Sequence, residues 1–252
     1  MSYNDHNAHP RDQFLSFDPE CHVYTYGGRE FTSVTTLVED YFPKFDADKW
    51  APRVALKEGV DPQVIKDRWE AEGKRARDMG TVMHDKIERY YLGDDDGDDA
   101  DAFRMFREFA AGCQLSPYRT EWRIYHEDYD LAGTLDFLER TPDGTYNLWD
   151  WKRSTKLVDR MGNVCSSNNY GKTGFFPLSN LHDTPYWHYA LQLSIYSFIL
   201  EEKYGIHVSK ATLGVFHPDN GHPWVLPMPN MRDHVVALLR HRLSARSAAR
   251  VR

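Results

Sequence analysis

Apolar positions along this chain switch between two periods, and the switches mark its elements. The stretch at residues 131–152, LAGTLDFLERTPDGTYNLWDWK, is rich in β-branched and aromatic residues. It reads as two strands, 131–140 and 145–152, around Pro142-Asp143-Gly144. That tripeptide is turn chemistry: proline fixes φ, aspartate bonds its own backbone, and glycine accepts φ > 0. RTEWRIYHE at 119–127 alternates as an edge or first core strand, and KATLGVFH at 210–217 as a later one, with 223–226 after it. Upstream, HVYTY and REFTSV flank Gly27-Gly28 as a hairpin. The helical period governs 46–57, 62–91, 102–115 and 187–204, then a basic amphipathic segment from Met231. Pro62 suits a first turn and Gly205 a C-cap. Ser33 or Thr35 could cap a helix running through Val38 to Phe42.

The turn sets a register. If residues 142–144 form the loop, Thr141 pairs with Thr145, paired numbers sum to 286, and Asp136 faces Asp150. Lys152 then shares a face with Asp150. Directly opposed carboxylates repel, so the arrangement makes sense around a hard divalent cation, which prefers carboxylate oxygens. A slip of one residue would put the two aspartates on opposite faces.

Three further features stand in order around that hairpin. Gly80, His84 and Glu88 recur every four residues on one helix face, where Gly80 could admit a close approach to a sheet. Alone, such a histidine–glutamate pair reads as a helix-surface pair. Glu121 precedes the hairpin, as a further acidic site residue or an exposed strand position. Gln192 and Tyr196 lie four apart in the helix after it, with His188 one turn earlier; alone they read as the polar edge of an amphipathic helix.

Taken together, Asp136, Asp150-Trp151-Lys152, the G-x3-H helix and Gln192-x3-Tyr196 resemble the PD-(D/E)xK nuclease superfamily in its RecB-like branch, which includes lambda exonuclease and the mitochondrial genome maintenance exonucleases. The likeness covers roughly 78–217; the first 77 residues match only loosely. It implies an α/β (α+β) fold with a restriction-endonuclease-like αβββαβ core, a central mixed sheet flanked by helices, plus an N-terminal hairpin and helices. It implies His84, Asp136, Asp150 and the Trp151 backbone carbonyl as metal ligands, with Asp136, Asp150 and Lys152 catalytic. Lys152 would orient or help deprotonate the attacking water. Gln192 and Tyr196 would pack beside the site and touch DNA, Glu88 would be a supporting or structural group, and Ser33 a DNA contact or an ordinary N-cap. The expected cofactor is Mg²⁺ or Mn²⁺, one or two ions, with an imidazole ligand tilting the site towards Mn²⁺.

Composition adjusts this picture in places. The chain has 252 residues, 41% hydrophobic and 14% aromatic, enough for one core. Residues 1–13 are polar and read as a disordered tail, leaving 14–252 as a single nuclease domain. No apolar run approaches the roughly 18 residues of a membrane span. Cys21, Cys113 and Cys165 are odd in number and far apart, which argues for a reducing compartment and an intracellular, non-secreted protein. They also lack the clustering of the iron–sulfur version of RecB-like nucleases. Net charge is −7, yet the run GDDDGDDAD at 93–101 supplies six aspartates. That run is a solvated loop or a metal-loading or autoinhibitory segment. Lys74, Arg75 and Arg77, with Arg240, Arg242, Arg246, Arg250 and Arg252, are phosphate contacts or solvated helix faces.

Residues 153–186 follow neither period and are long for a connection. Lys156, Arg160, Lys172, Phe175 and Phe176 suit a flap over a strand; a disordered insertion fits the same composition. No G-x-S-x-G elbow, phosphate loop or His-Glu-x-x-His competes. The expected function is a metal-dependent deoxyribonuclease, an exonuclease on DNA ends or single strands in replication, recombination or repair. A structure-specific endonuclease of the same fold and a non-catalytic nucleic-acid-binding module are the alternatives. DNA is the expected partner, no membrane is involved, and any helicase or recombination partner must be a separate chain.

Overall fold

A computed structural model of the chain describes residues 2–95, 97 and 101–250. Much of the acidic run at 93–101, together with Arg252, therefore lies outside the described residues, as does the side chain of Arg250. Among the described residues, no helix is long and apolar enough to cross a membrane.

An eight-stranded mixed sheet is flanked by helices on both faces. Short α1 (Tyr3–His6) precedes β1 (Leu15–Asp18), β2 (Val23–Tyr26) and β3 (Arg29–Ser33). Three helices follow: α2 (Val34–Glu39), α3 (Ala47–Glu58) and α4 (Pro62–Leu92). Next come α5 (Asp101–Gly112), β4 (Pro117–His126), β5 (Leu131–Arg140) and β6 (Tyr146–Lys152). The chain ends with α6 (Pro185–Tyr204), β7 (Val208–Val215), β8 (Trp224–Met228) and α7 (Arg232–Arg250). The strand order is β1-β2-β3-β5-β6-β7-β8, and β4 pairs with β5. The β3–β5 and β6–β7 pairs are parallel; the others are antiparallel.

Local chemistry accounts for the element ends. The Asp61 side chain accepts from the Gln63 N–H and Pro62 opens α4, while Gly93 closes it in the left-handed region. The hairpin turn is held by Asp143 Oδ1, which accepts from the Thr145 N–H, and by Gly144 at φ 85°. The ladder pairs Phe137 with Trp149 and Arg140 with Tyr146, the register that the turn implied.

Two cores cover the sheet. One face packs against α2, α6 and α7 through residues such as Val34, Leu191, Ile195 and Leu238. The other, denser in aromatics, packs α4 and α5 through Met83, Ile87, Phe103 and Phe106 on Phe137, Trp149, Trp151 and Phe216. Side chains pack close against the sheet where glycine permits it. A Cβ on Gly133 would lie 2.6 Å from Tyr196 Cε1, and one on Gly214 would lie 2.7 Å from Trp151 Cε3.

Several expectations are corrected. The N-terminal residues, read as a disordered tail, pack on β4 by polar contacts that a hydrophobicity pattern does not register. Asn4 accepts from the Thr120 N–H, Arg119 pairs with Asp12, and Trp122 Nε1 donates to Asp12. Residues 153–186 are not a disordered insertion, since Leu157, Val158, Leu178 and Leu181 anchor them in the core. A Cβ on Gly80 would meet nothing within 4 Å, so that glycine serves no close approach. Arg242 and Arg246 donate to the Tyr129 carbonyl, and Arg246 also pairs with Asp130, so both are committed to the fold. Lys74 pairs with Asp78.

Candidate metal centre

The site lies at a fork in the sheet. One edge of β5 carries β4 along its length. Its other edge carries β3 at residues 131–132 and β6 at residues 137–140. Between these two ladders stand residues 133–136, which end in Asp136.

Register places three carboxylates in one cross-strand row. Thr120 pairs with Phe137 and Trp122 with Leu135, so Glu121 falls opposite Asp136. Extending the β5–β6 register by one residue puts Asp150 on the far side of Asp136. Two cations divide the row between them. At one end, His84 Nδ1 lies 3.5 Å from Asp136 Oδ2 and 3.8 Å from Glu121 Oε1. At the other, Lys152 Nζ lies 2.6 Å from Asp150 Oδ2 and 4.8 Å from the ring centroid of Tyr189 on α6.

His84, Glu121 and Asp136 could hold a metal ion: one potential ligand atom from each lies within 4.8 Å of the others. One imidazole nitrogen and two carboxylate oxygens fit a divalent cation. Two other expected ligands, Asp150 and the Trp151 carbonyl, are not part of this group. Asp150 stands outside it, 2% exposed and neutralised by Lys152. The Trp151 carbonyl accepts from His84 Nε2 at 2.8 Å, so in this structure it orients the ring and leaves Nδ1 towards the carboxylates. The Trp151 N–H donates to Asp136 Oδ2 at 2.7 Å, fixing that carboxylate from the neighbouring strand β6.

Glu121, undecided from sequence, belongs to this group. It holds φ 45° inside a strand, a left-handed conformation that costs a non-glycine residue about 1–3 kcal/mol and persists where the surroundings enforce it. Glu88 sits one turn from His84; burial, then the charges of Glu121 and Asp85, push its carboxyl up. Tyr196 is buried against Gly133, with its hydroxyl accepting from Gln192 Nε2 at 3.2 Å. Its ring packs directly on the fork residue Gly133. Ser33 is the N-cap of α2, its hydroxyl accepting from the Thr36 N–H at 3.0 Å. Tyr189 was not singled out from sequence, although its spacing of three and seven residues to Gln192 and Tyr196 marks the same helix face.

The electrostatics are those of a charge-balanced cluster. Burial disfavours the His84 imidazolium, but Asp136 and Glu121 outweigh it and carry the pKa up to about 9. Burial, then the Asp136 charge, pushes Asp150 up to about 6 against the pull of Lys152. Burial likewise raises Asp136, opposed by His84 and Lys152. Lys152 loses hydration, yet Asp150 and Asp136 hold its ammonium firmly charged. Protons thus fill a site whose carboxylates would otherwise repel.

No protein-family model matches the chain, and no curated protein matches it at a significant level. The solved structure of SSO0001 is similar over 85% of this chain and 75% of its own, at 17% identity and a TM-score of 0.32.

Proposed function

We propose that this protein is a metal-dependent deoxyribonuclease of the PD-(D/E)xK type, with a restriction-endonuclease-like core, acting as an exonuclease on DNA ends or single strands. One observation carries the reading: a potential ligand group of His84, Glu121 and Asp136 stands beside a buried Asp150–Lys152 pair at a fork in the sheet. A purely structural ion-pair network accounts poorly for a strained glutamate and two buried aspartates in one row, since each costs stability.

His84, Glu121 and Asp136 would hold Mg²⁺ or Mn²⁺. When bound, such an ion supplies Lewis-acid polarisation and a more acidic water. The chain's own residues do the rest. Asp150 and the Tyr189 ring hold the Lys152 ammonium in place. From there it can orient the attacking water and offset charge developing on the phosphate. His84, steered by the Trp151 carbonyl, would offer its other ring nitrogen to the ion.

The deciding experiment is a time course on end-labelled single- and double-stranded DNA with Mg²⁺ or Mn²⁺, comparing wild type with Lys152→Ala and Asp150→Asn. Hydrolysis is expected to require the cation and to drop at least ~10²-fold in both variants, while circular dichroism shows both folded. Undiminished cleavage in either variant refutes the assignment. Intact circular single strands separate an exonuclease from an endonuclease.

A further inference from the structure

Away from the metal centre, Phe45, Trp50, Val54, Trp69, Tyr170 and Lys172 line a cavity of about 300 Å³. Its walls come from three places: the segment before α3 and α3 itself, the first half of α4, and the 153–186 segment. Phe45 and Tyr170 are 64% and 78% exposed. Phe45 meets Trp69 edge-on, with ring centroids 5.2 Å apart. Convergent, solvent-facing rings of this kind mark a binding surface more than a core.

The geometry points to an unpaired base of a single-stranded nucleic acid stacking in this pocket, its phosphates facing Lys172 and Arg53; this rests on the nuclease reading and adds a subsite to it. Charge selects the occupant. Four aromatic rings could also cage a cation, but Lys172 lines the pocket and the Arg53 guanidinium lies 5.0 Å from the Trp50 centroid. A positive rim repels a cation and attracts an aromatic group that carries negative charge. Stacking tolerates any base, because each has a π-face.

A chain of packed and hydrogen-bonded residues runs between the walls of this pocket and the metal centre. Tyr189, beneath Lys152, opens a groove between α2 and α6 lined by Val38, Glu39, His188 and Gln192. His188 packs on Phe42, with centroids 4.1 Å apart, and bonds Asp183, whose backbone N–H donates to the Lys172 carbonyl. The Phe175 N–H donates to the Tyr41 carbonyl, so the segments ending at Phe45 and starting at Tyr170 are tied together. A strand with one end at the metal centre could follow this groove and place a base among the rings.

The test is fluorescence anisotropy in EDTA, without hydrolysis, with a fluorescein-labelled oligothymidylate and a labelled blunt duplex. Tyr170→Ala removes an exposed ring, and Trp69→Ala is paired with Trp69→Phe as ring rescue. The alanine variants are expected to weaken single-strand binding roughly 5- to 150-fold, the range for losing one stacked base. Trp69→Phe should recover most of that, and duplex binding should hold. Unchanged single-strand affinity in Tyr170→Ala, or an equal loss on the duplex, overturns the subsite. Hydrolysis that still depends on Asp150 and Lys152 would, in that case, leave the metal-centre reading standing. Wild-type hydrolysis insensitive to both residues, with the stacking effect intact, would instead sink the metal-centre reading alone.

Discussion

Helix α4 has two unlike halves. Its second half is locked to the sheet: Met83 and Ile87 are buried among Phe103, Phe106 and Trp151, and they bracket His84. Its first half, with α3, makes an arm whose small core is Ala51, Ala55 and Ile65, with Val54 and Trp69 against it. Between Ile65 and Met83 no α4 residue is fully buried. The contrast follows from chemistry. Ligand atoms must be held within fractions of an ångström to bind an ion well. A stacking surface must open to admit a ligand, and a thin core permits that.

The largest expected effect breaks this contrast directly. Trp151→Ala empties the centre of the aromatic core and should cost about 3–5 kcal/mol, read as a lower urea midpoint for the whole protein. Ile65→Ala should act locally. Hydrogen exchange is expected to quicken in α3 and the first half of α4 while β5 and β6 keep their protection. Equal loss of protection in β5 and β6 would show one cooperative unit and erase the distinction.

Next in size is the linkage between protons and metal. The pKa of His84 rises from an ordinary 6.5 to about 9, and that of Asp150 from 3.8 to about 6. In both cases the folded protein binds protons more tightly than the unfolded chain. Without metal, stability conferred by these groups is therefore present at low pH. It is lost as pH rises, through about 6 for Asp150 and about 9 for His84. A divalent cation must displace the His84 proton, so its apparent affinity should climb with pH until about 9. Thermal melts with and without Mn²⁺ should show a metal-induced rise in Tm that grows with pH. A rise that is flat with pH, or unchanged in His84→Ala, would remove His84 from the ligand group.

Sequence reached some of this and missed the rest for identifiable reasons. The β5–β6 register was legible because Pro142-Asp143-Gly144 is strong local turn chemistry and the three-residue loop it suggests is the one that forms. His84 was legible because period and order agreed. The partner of Asp136 was not. Glu121 reaches it through the β4–β5 register, which depends on the irregular turn 127–130 and on a left-handed residue that alternation cannot foresee. The ordered N-terminus escaped notice because hydrogen bonds such as Asn4 to Thr120 leave no apolar pattern. The α3–α4 arm escaped because one unbroken helical period runs through both halves of α4.

The smallest expected effect bears on why Glu121 is tolerated at all. Its φ of 45° is a cost that any side chain with a Cβ shares and that glycine does not. Glu121→Ala and Glu121→Gly both remove the carboxylate, so both should weaken Mn²⁺ binding to the same extent. Their stabilities should differ: the glycine variant is expected to be about 1 kcal/mol more stable than the alanine variant, against the usual order inside a strand. Urea denaturation without metal reads that difference. If alanine is as stable as glycine, the backbone at 121 relaxes freely, and Glu121 is aimed at His84 and Asp136 by its side-chain rotamer alone. If glycine wins, the strand itself is bent to deliver a carboxylate, a cost that only the second, rigid half of α4 and the sheet beneath it can hold in place.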